Sequence, residues 1–97
     1  MDQSRSVRIV TVINPQGLHA RPADMFVKLA AQYESTIEVV KDNERVDGKS
    51  ILAILTLAAV QGTQLQIEAN GPDAEQALLA LAELVEQQFA ENGTMNQ

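Results

Sequence analysis

Apolar residues in this chain switch repeatedly between the two-residue spacing of strands and the three-to-four-residue spacing of helices, and the order of those switches narrows the fold. Val7-Arg8-Ile9-Val10-Thr11-Val12-Ile13 is dense in β-branched residues, and Asn14-Pro15-Gln16-Gly17 follows with turn formers, so a first strand is predicted over 7–13. From 20 to about 32, Ala23, Phe26, Val27, Ala30 and Tyr33 form one stripe with Asp24 and Lys28 off it, which predicts a helix. Segments 35–41 and 44–46 flank Asp42-Asn43, residues that tolerate left-handed conformations, and read as a hairpin.

Ser50, a preferred helix N-cap, precedes an apolar run over 51–60 that Gly62 closes, giving a second helix. Leu65, Ile67 and Ala69 alternate with Gln64, Gln66 and Glu68 in a fourth strand with one wet face. Asn70-Gly71-Pro72 breaks it. Asp73 and Gln76 have the spacing of a capping box, and Leu78, Leu81, Leu84, Val85 and Phe89 mark a third helix. The expected fold is α+β, a two-layer open-faced sandwich in the order β-α-β-β-α-β-α, with three helices on one face of a four-stranded antiparallel sheet.

With 97 residues, 45% of them apolar, the chain suits one compact domain over 1–97, and its ends at 1–6 and 92–97 are expected to be flexible. The absence of cysteine removes thiolate nucleophiles, disulfides and zinc-thiolate sites, and a single histidine cannot build a histidine cluster, so no metal or cofactor is expected. A net charge of -6 and 3% aromatic residues argue against nucleic acid and anionic membranes as partners. No segment has the length of an apolar membrane span, and Arg8 and Thr11 interrupt the first apolar run, so a soluble, cytoplasmic monomer is expected. Without secretion, the sequon Asn92-Gly93-Thr94 is a chance match.

The chemistry concentrates in Gly17-Leu18-His19-Ala20-Arg21-Pro22. The only histidine lies just before a helix whose first-turn amides lack intrahelical partners and, with the helix dipole, attract anions. Pro22 suits the first turn because its missing amide costs nothing there, and Arg21 adds a permanent charge whose fork matches phosphate oxygens. An imidazole nitrogen can attack phosphorus and later leave, so a reversible phosphohistidine at His19 is one reading. A histidine that merely caps the helix is the other.

The second helix is apolar almost all round, with Ile54 and Leu57 on one side and Ile51, Leu52 and Leu55 toward another. One group should meet the core and the other form an exposed patch beside His19, with Lys28 as a rim charge. Gly48-Lys49-Ser50 imitates the end of a P-loop, but Asn43 stands where that motif needs glycine, so no nucleotide site is read.

Gly17-Leu18-His19-Ala20-Arg21-Pro22-Ala23 resembles the active-site signature of the HPr family, histidine-containing phosphocarriers of the bacterial phosphoenolpyruvate-dependent sugar phosphotransferase system. Gly48-Lys49-Ser50-Ile51-Leu52 resembles the family's serine region, Gln61-Gly62-Thr63 its turn before the last strand, and the element order fits from Val7 to Phe89. The resemblance implies that His19 takes a phosphoryl group on Nδ1 from phosphorylated Enzyme I and passes it to the A domains of sugar permeases. Arg21 would stabilise the phosphate, and Gly17, Ala20 and Pro22 would shape its cradle. It further implies docking through the second helix (Lys49, Ile51, Leu52, Leu55) and the first, on which Lys28 lies, and, in members served by an HPr kinase/phosphorylase, phosphorylation of the serine at Ser50. Three alternatives stay open: an HPr-like carrier of a nitrogen-related regulatory phosphorelay, a regulatory docking protein that transfers nothing, and a small α+β ligand-binding domain.

Overall fold

The β-branched run near the N-terminus forms β1 (Arg5–Thr11), and the stripe that follows forms α1 (Ala20–Ala30). The hairpin is β2 (Thr36–Lys41) with β3 (Glu44–Asp47), turning at Asp42 with φ +55. After it come α2 (Ile51–Thr56), β4 (Gln64–Asn70) and α3 (Ala74–Glu83), with a π-helical turn over Leu84–Gln88. The structure, a computed structural model, describes residues 5–88. Phe89 and the 92–97 end lie outside the described residues.

All strand pairs are antiparallel, in the order β1-β4-β2-β3. Registers Val10↔Leu65, Val39↔Ile67 and Ile37↔Ala69 align the inner face, and these residues are buried with Phe26, Ile54, Leu57, Leu78, Leu81 and Val85. The expected open-faced sandwich is therefore present.

Several boundaries differ from the sequence reading. Arg5 and Ser6, placed in a flexible end, are the first residues of β1 and pair with Asn70 and Ala69, because the full length of β4 templates them. The second helix ends at Thr56 rather than running to Val60. Its last turn tightens through Leu57 N–H to the Ile54 carbonyl and Ala58 N–H to the Leu55 carbonyl. The Lys41 ammonium takes the Leu57 carbonyl at 2.7 Å, and Ala58 adopts φ +50. The chain leaves the helix there because Ala59, itself buried, must reach the Gly17-Leu18 loop. Gly62 then lies in the turn before β4, where its N–H meets the Val12 carbonyl at 2.7 Å.

The capping box at α3 is also absent. Asp73 makes no side-chain cap bond; its carboxylate instead accepts from Glu34 N–H (2.9 Å), Ser35 N–H (3.0 Å) and Ser35 Oγ (2.6 Å). Ser35 is buried, so its amide and hydroxyl need an acceptor, and the carboxylate serves both together with the exposed Glu34 amide. The Ser35 hydroxyl foremost, with the two amides, holds the Asp73 carboxyl below its ordinary range.

The outer face of the sheet is not uniformly wet. Glu68 is only 7% exposed there, opposite Glu38. Like charges facing across a strand pair destabilise it. Arg45 resolves the conflict, its Nη1 lying 2.7 Å from both carboxylates, while Arg5 Nη2 reaches Glu68 at 3.1 Å and Gln66 donates to its second oxygen at 2.6 Å. The Arg45 hydrogen bond is the largest of the influences that hold the Glu68 carboxyl down at about 2 against an ordinary 4.5.

A carboxyl whose folded pKa is depressed contributes stability that is complete above its ordinary pKa and lost as pH falls through the folded value. Glu68→Gln should therefore lower stability at neutral pH and flatten the fall in stability between about pH 4.5 and 2, read by denaturant unfolding across pH. An acid limb identical to that of the wild type would show that the charge cluster contributes nothing.

Candidate functional site

The site is built by a turn, a tight loop and a helix start. Asn14-Pro15-Gln16-Gly17 closes through Gly17 N–H to the Asn14 carbonyl at 3.0 Å, with proline at the position whose φ it presets. Gly17 has φ +71, a left-handed conformation, and a Cβ there would stand 2.3 Å from the Ala59 carbonyl oxygen. Glycine is required on both counts. Leu18 is buried, and its N–H donates to that same Ala59 carbonyl at 2.9 Å. The His19 N–H turns back to the Gly17 carbonyl at 3.0 Å.

His19 is the N-cap of α1, in extended conformation, and its imidazole makes no capping hydrogen bond. The expectation of a merely helix-capping histidine thus lacks the bond that would define it. The ring is exposed, while the His19 carbonyl accepts from Ala23 N–H at 3.0 Å. Pro22 is buried at the third helical position and has no amide to leave unpaired. The amides of Ala20 and Arg21 precede the first intrahelical donors and have no partner within the helix. Arg21 is exposed, and its guanidinium has no partner among the described residues.

Of the residues read as the phosphate cradle, Ala20 thus offers an amide donor, as does Arg21 next to it, whereas Gly17 and Pro22 shape the backbone. An exposed imidazole, with two amides and a guanidinium of the first helical turn that have no partner among the described residues, can hold a dianion and expose a nitrogen nucleophile.

Ser50 caps α2, its Oγ accepting from Ala53 N–H at 3.2 Å. Ile54 and Leu57 turn inward and are buried, Ile51 and Leu55 are half-buried, and Leu52 is 73% exposed. Lys49 does not project freely, because its ammonium donates to the Tyr33 carbonyl just after α1 at 2.7 Å. That bond at one end and Leu18–Ala59 at the other run α1 and α2 side by side in opposite directions. Lys28, on α1, pairs with Asp24 one turn earlier at 3.2 Å, an exposed pair of little energetic weight.

Two participants escaped the sequence reading. Asn14, read only as a turn former, is buried, and its Nδ2 donates to the Gly17 carbonyl. Ala59 and Val60, read as helix, are the strap against which Gly17 packs. Asn before Pro was the available signal for the first, and nothing in an Ala-Ala-Val run signals the second.

Residues 7–87 match the family described as PTS HPr component, phosphorylation site. The chain is 40% identical to the phosphocarrier protein HPr of Neisseria meningitidis serogroup A over 82 residues, spanning 84% of this chain and 92% of that one. With the HPr of Pseudomonas aeruginosa the identity is 45% over 83 residues, again 84% and 92% of the two chains. The crystal structure of HPr from Bacillus anthracis superposes with a TM-score of 0.83 at 39% identity, covering 87% of this chain and 100% of that one. Fold and comparisons together define a phosphocarrier of the phosphotransferase system. The chain belongs to the HPr family.

Gly17→Ala would place a methyl against the Ala59 carbonyl and hold alanine at positive φ. We expect a loss of about 2 kcal/mol or more in denaturant unfolding, with the Leu18 amide losing its protection from hydrogen exchange.

Proposed function

We propose that His19 accepts a phosphoryl group from phosphorylated Enzyme I and passes it to the A domains of sugar permeases. The observation that carries the reading is the placement of an exposed His19 imidazole, without a capping hydrogen bond, at the start of α1, followed directly by the Ala20 and Arg21 amides and the Arg21 guanidinium, which have no partner among the described residues. In the forward step a neutral imidazole nitrogen, Nδ1 by family resemblance, attacks phosphorus as the bond to the donor breaks. The phosphoryl oxygens pass to the two amides and Arg21, which stabilise their charge, and phosphoryl transfer needs little more than such positioning and charge. In the return step the acceptor's nucleophile attacks the same phosphorus and the imidazole leaves.

Docking is assigned to the outer side of α2. Leu52, Ile51 and Leu55 offer an apolar surface, which Val60, 66% exposed and packed at Gly17, extends to the phosphate loop. Lys28 supplies a rim charge, while Lys49 fastens α2 to the end of α1. A phosphate on Ser50 would stand at the start of α2 within this surface, where added negative charge opposes a partner that receives the apolar face.

Incubation with phosphoenolpyruvate and Enzyme I should add one phosphoryl mass to the chain, labile in acid and stable in alkali, and His19→Ala should show none. Failure of the wild type to take up phosphate would sink the carrier reading. In the same assay Leu52→Glu should slow transfer about tenfold or more while leaving unfolding unchanged, because the side chain faces solvent, and Ser50→Asp should slow it as well. Wild-type kinetics in both variants would remove α2 from the docking surface.

A further inference from the structure

We propose that Asn14 is a positioning residue for phosphoryl transfer, fixing through the Gly17 carbonyl the backbone from which the His19 imidazole projects; the inference rests on the carrier function proposed above. Asn14 grips Gly17 from both sides. Its carbonyl accepts the Gly17 N–H, and its Nδ2 donates to the Gly17 carbonyl, the same oxygen that receives the His19 N–H. One side chain therefore sets the orientation of the peptide that leads into the histidine, and the His19 amide is committed to the loop rather than to the phosphate.

The chemistry of the pair specifies the residue. A carbonyl acceptor demands a donor, which aspartate in its ionised form and any aliphatic side chain lack. Asn14 is 7% exposed, and its Oδ1 is buried without a hydrogen-bond partner among the described residues. A buried unpaired acceptor opposes stability by about as much as one hydrogen bond contributes. For stability alone the side chain is close to neutral, and its definite effect is on geometry. Phosphoryl transfer is sensitive to that geometry, since a displacement of about 1 Å at a reacting group can cost about a hundredfold in rate.

The test uses the full chain with Enzyme I and phosphoenolpyruvate, comparing wild type with Asn14→Ala and Asn14→Ser. Asn14→Ala should keep its melting temperature within a few degrees while kcat for phosphorylation falls about tenfold to a hundredfold. KM for the chain as substrate should hold, because the α2 surface is untouched. The His19 amide and ring resonances should shift in the unphosphorylated variant. Asn14→Ser, whose hydroxyl can make a similar local bond, should recover part of the rate. A folded Asn14→Ala with wild-type kcat overturns the inference. So does a variant that loses fold or raises KM in step with its loss of rate, since Asn14 would then be only structural. A wild type that takes up no phosphate fails the carrier reading itself, whereas normal uptake with an indifferent Asn14→Ala fails this inference alone.

Discussion

The contact between the Gly17-Leu18 loop and the Ala59 carbonyl is the constraint on which the rest of the structure turns. One oxygen accepts the Leu18 amide and also excludes a side chain at Gly17. Satisfying it stops α2 after six residues, puts Ala58 at positive φ, and draws the Lys41 ammonium to the freed end of the helix. It also decides where His19 stands. Backbone rather than side-chain contacts therefore carry most of the precision of the site, with Asn14 as the exception.

Elsewhere the shape is set by polar groups that must be satisfied once partly buried. Asp73 answers three donors of the segment after α1, and Arg45 bridges two carboxylates that strand register forces together. Both solutions join residues far apart in the chain. They pin the turns and the outer face of the sheet while leaving the site on α1 uninvolved.

Most of the architecture was legible because apolar spacing reports which face of an element is buried, and the inward residues Val10, Ile37, Val39, Ile54, Leu65, Ile67 and Leu81 follow it. The heptad at Gly17–Ala23 likewise announced its residues, since a glycine and a histidine before a helix start and an arginine in its first turn each have a separate physical reason to be there. What was not legible was decided by tertiary partners. Ala58-Ala59-Val60 has the local preferences of a helix, and only the need to reach Leu18 takes it out of one. Asp73 has the spacing of a cap, yet Ser35, distant in sequence, outcompetes the local amide. Glu68 alternates as a solvent residue would, and only the register against β2 shows that it is enclosed.

The shortness of α2 bears on how the molecule opens. A helix of six residues has no independent stability in water, so α2 persists only while its inward side chains stay packed and its ends stay fastened, by Lys49 to Tyr33 and by Ala59 to Leu18. Any fluctuation that frees α2 also withdraws the carbonyl that holds the loop before His19. The exposed side of α2 and the loop before His19 are therefore coupled through the Ala59 carbonyl, and a ligand that clamped α2 would also restrain that loop.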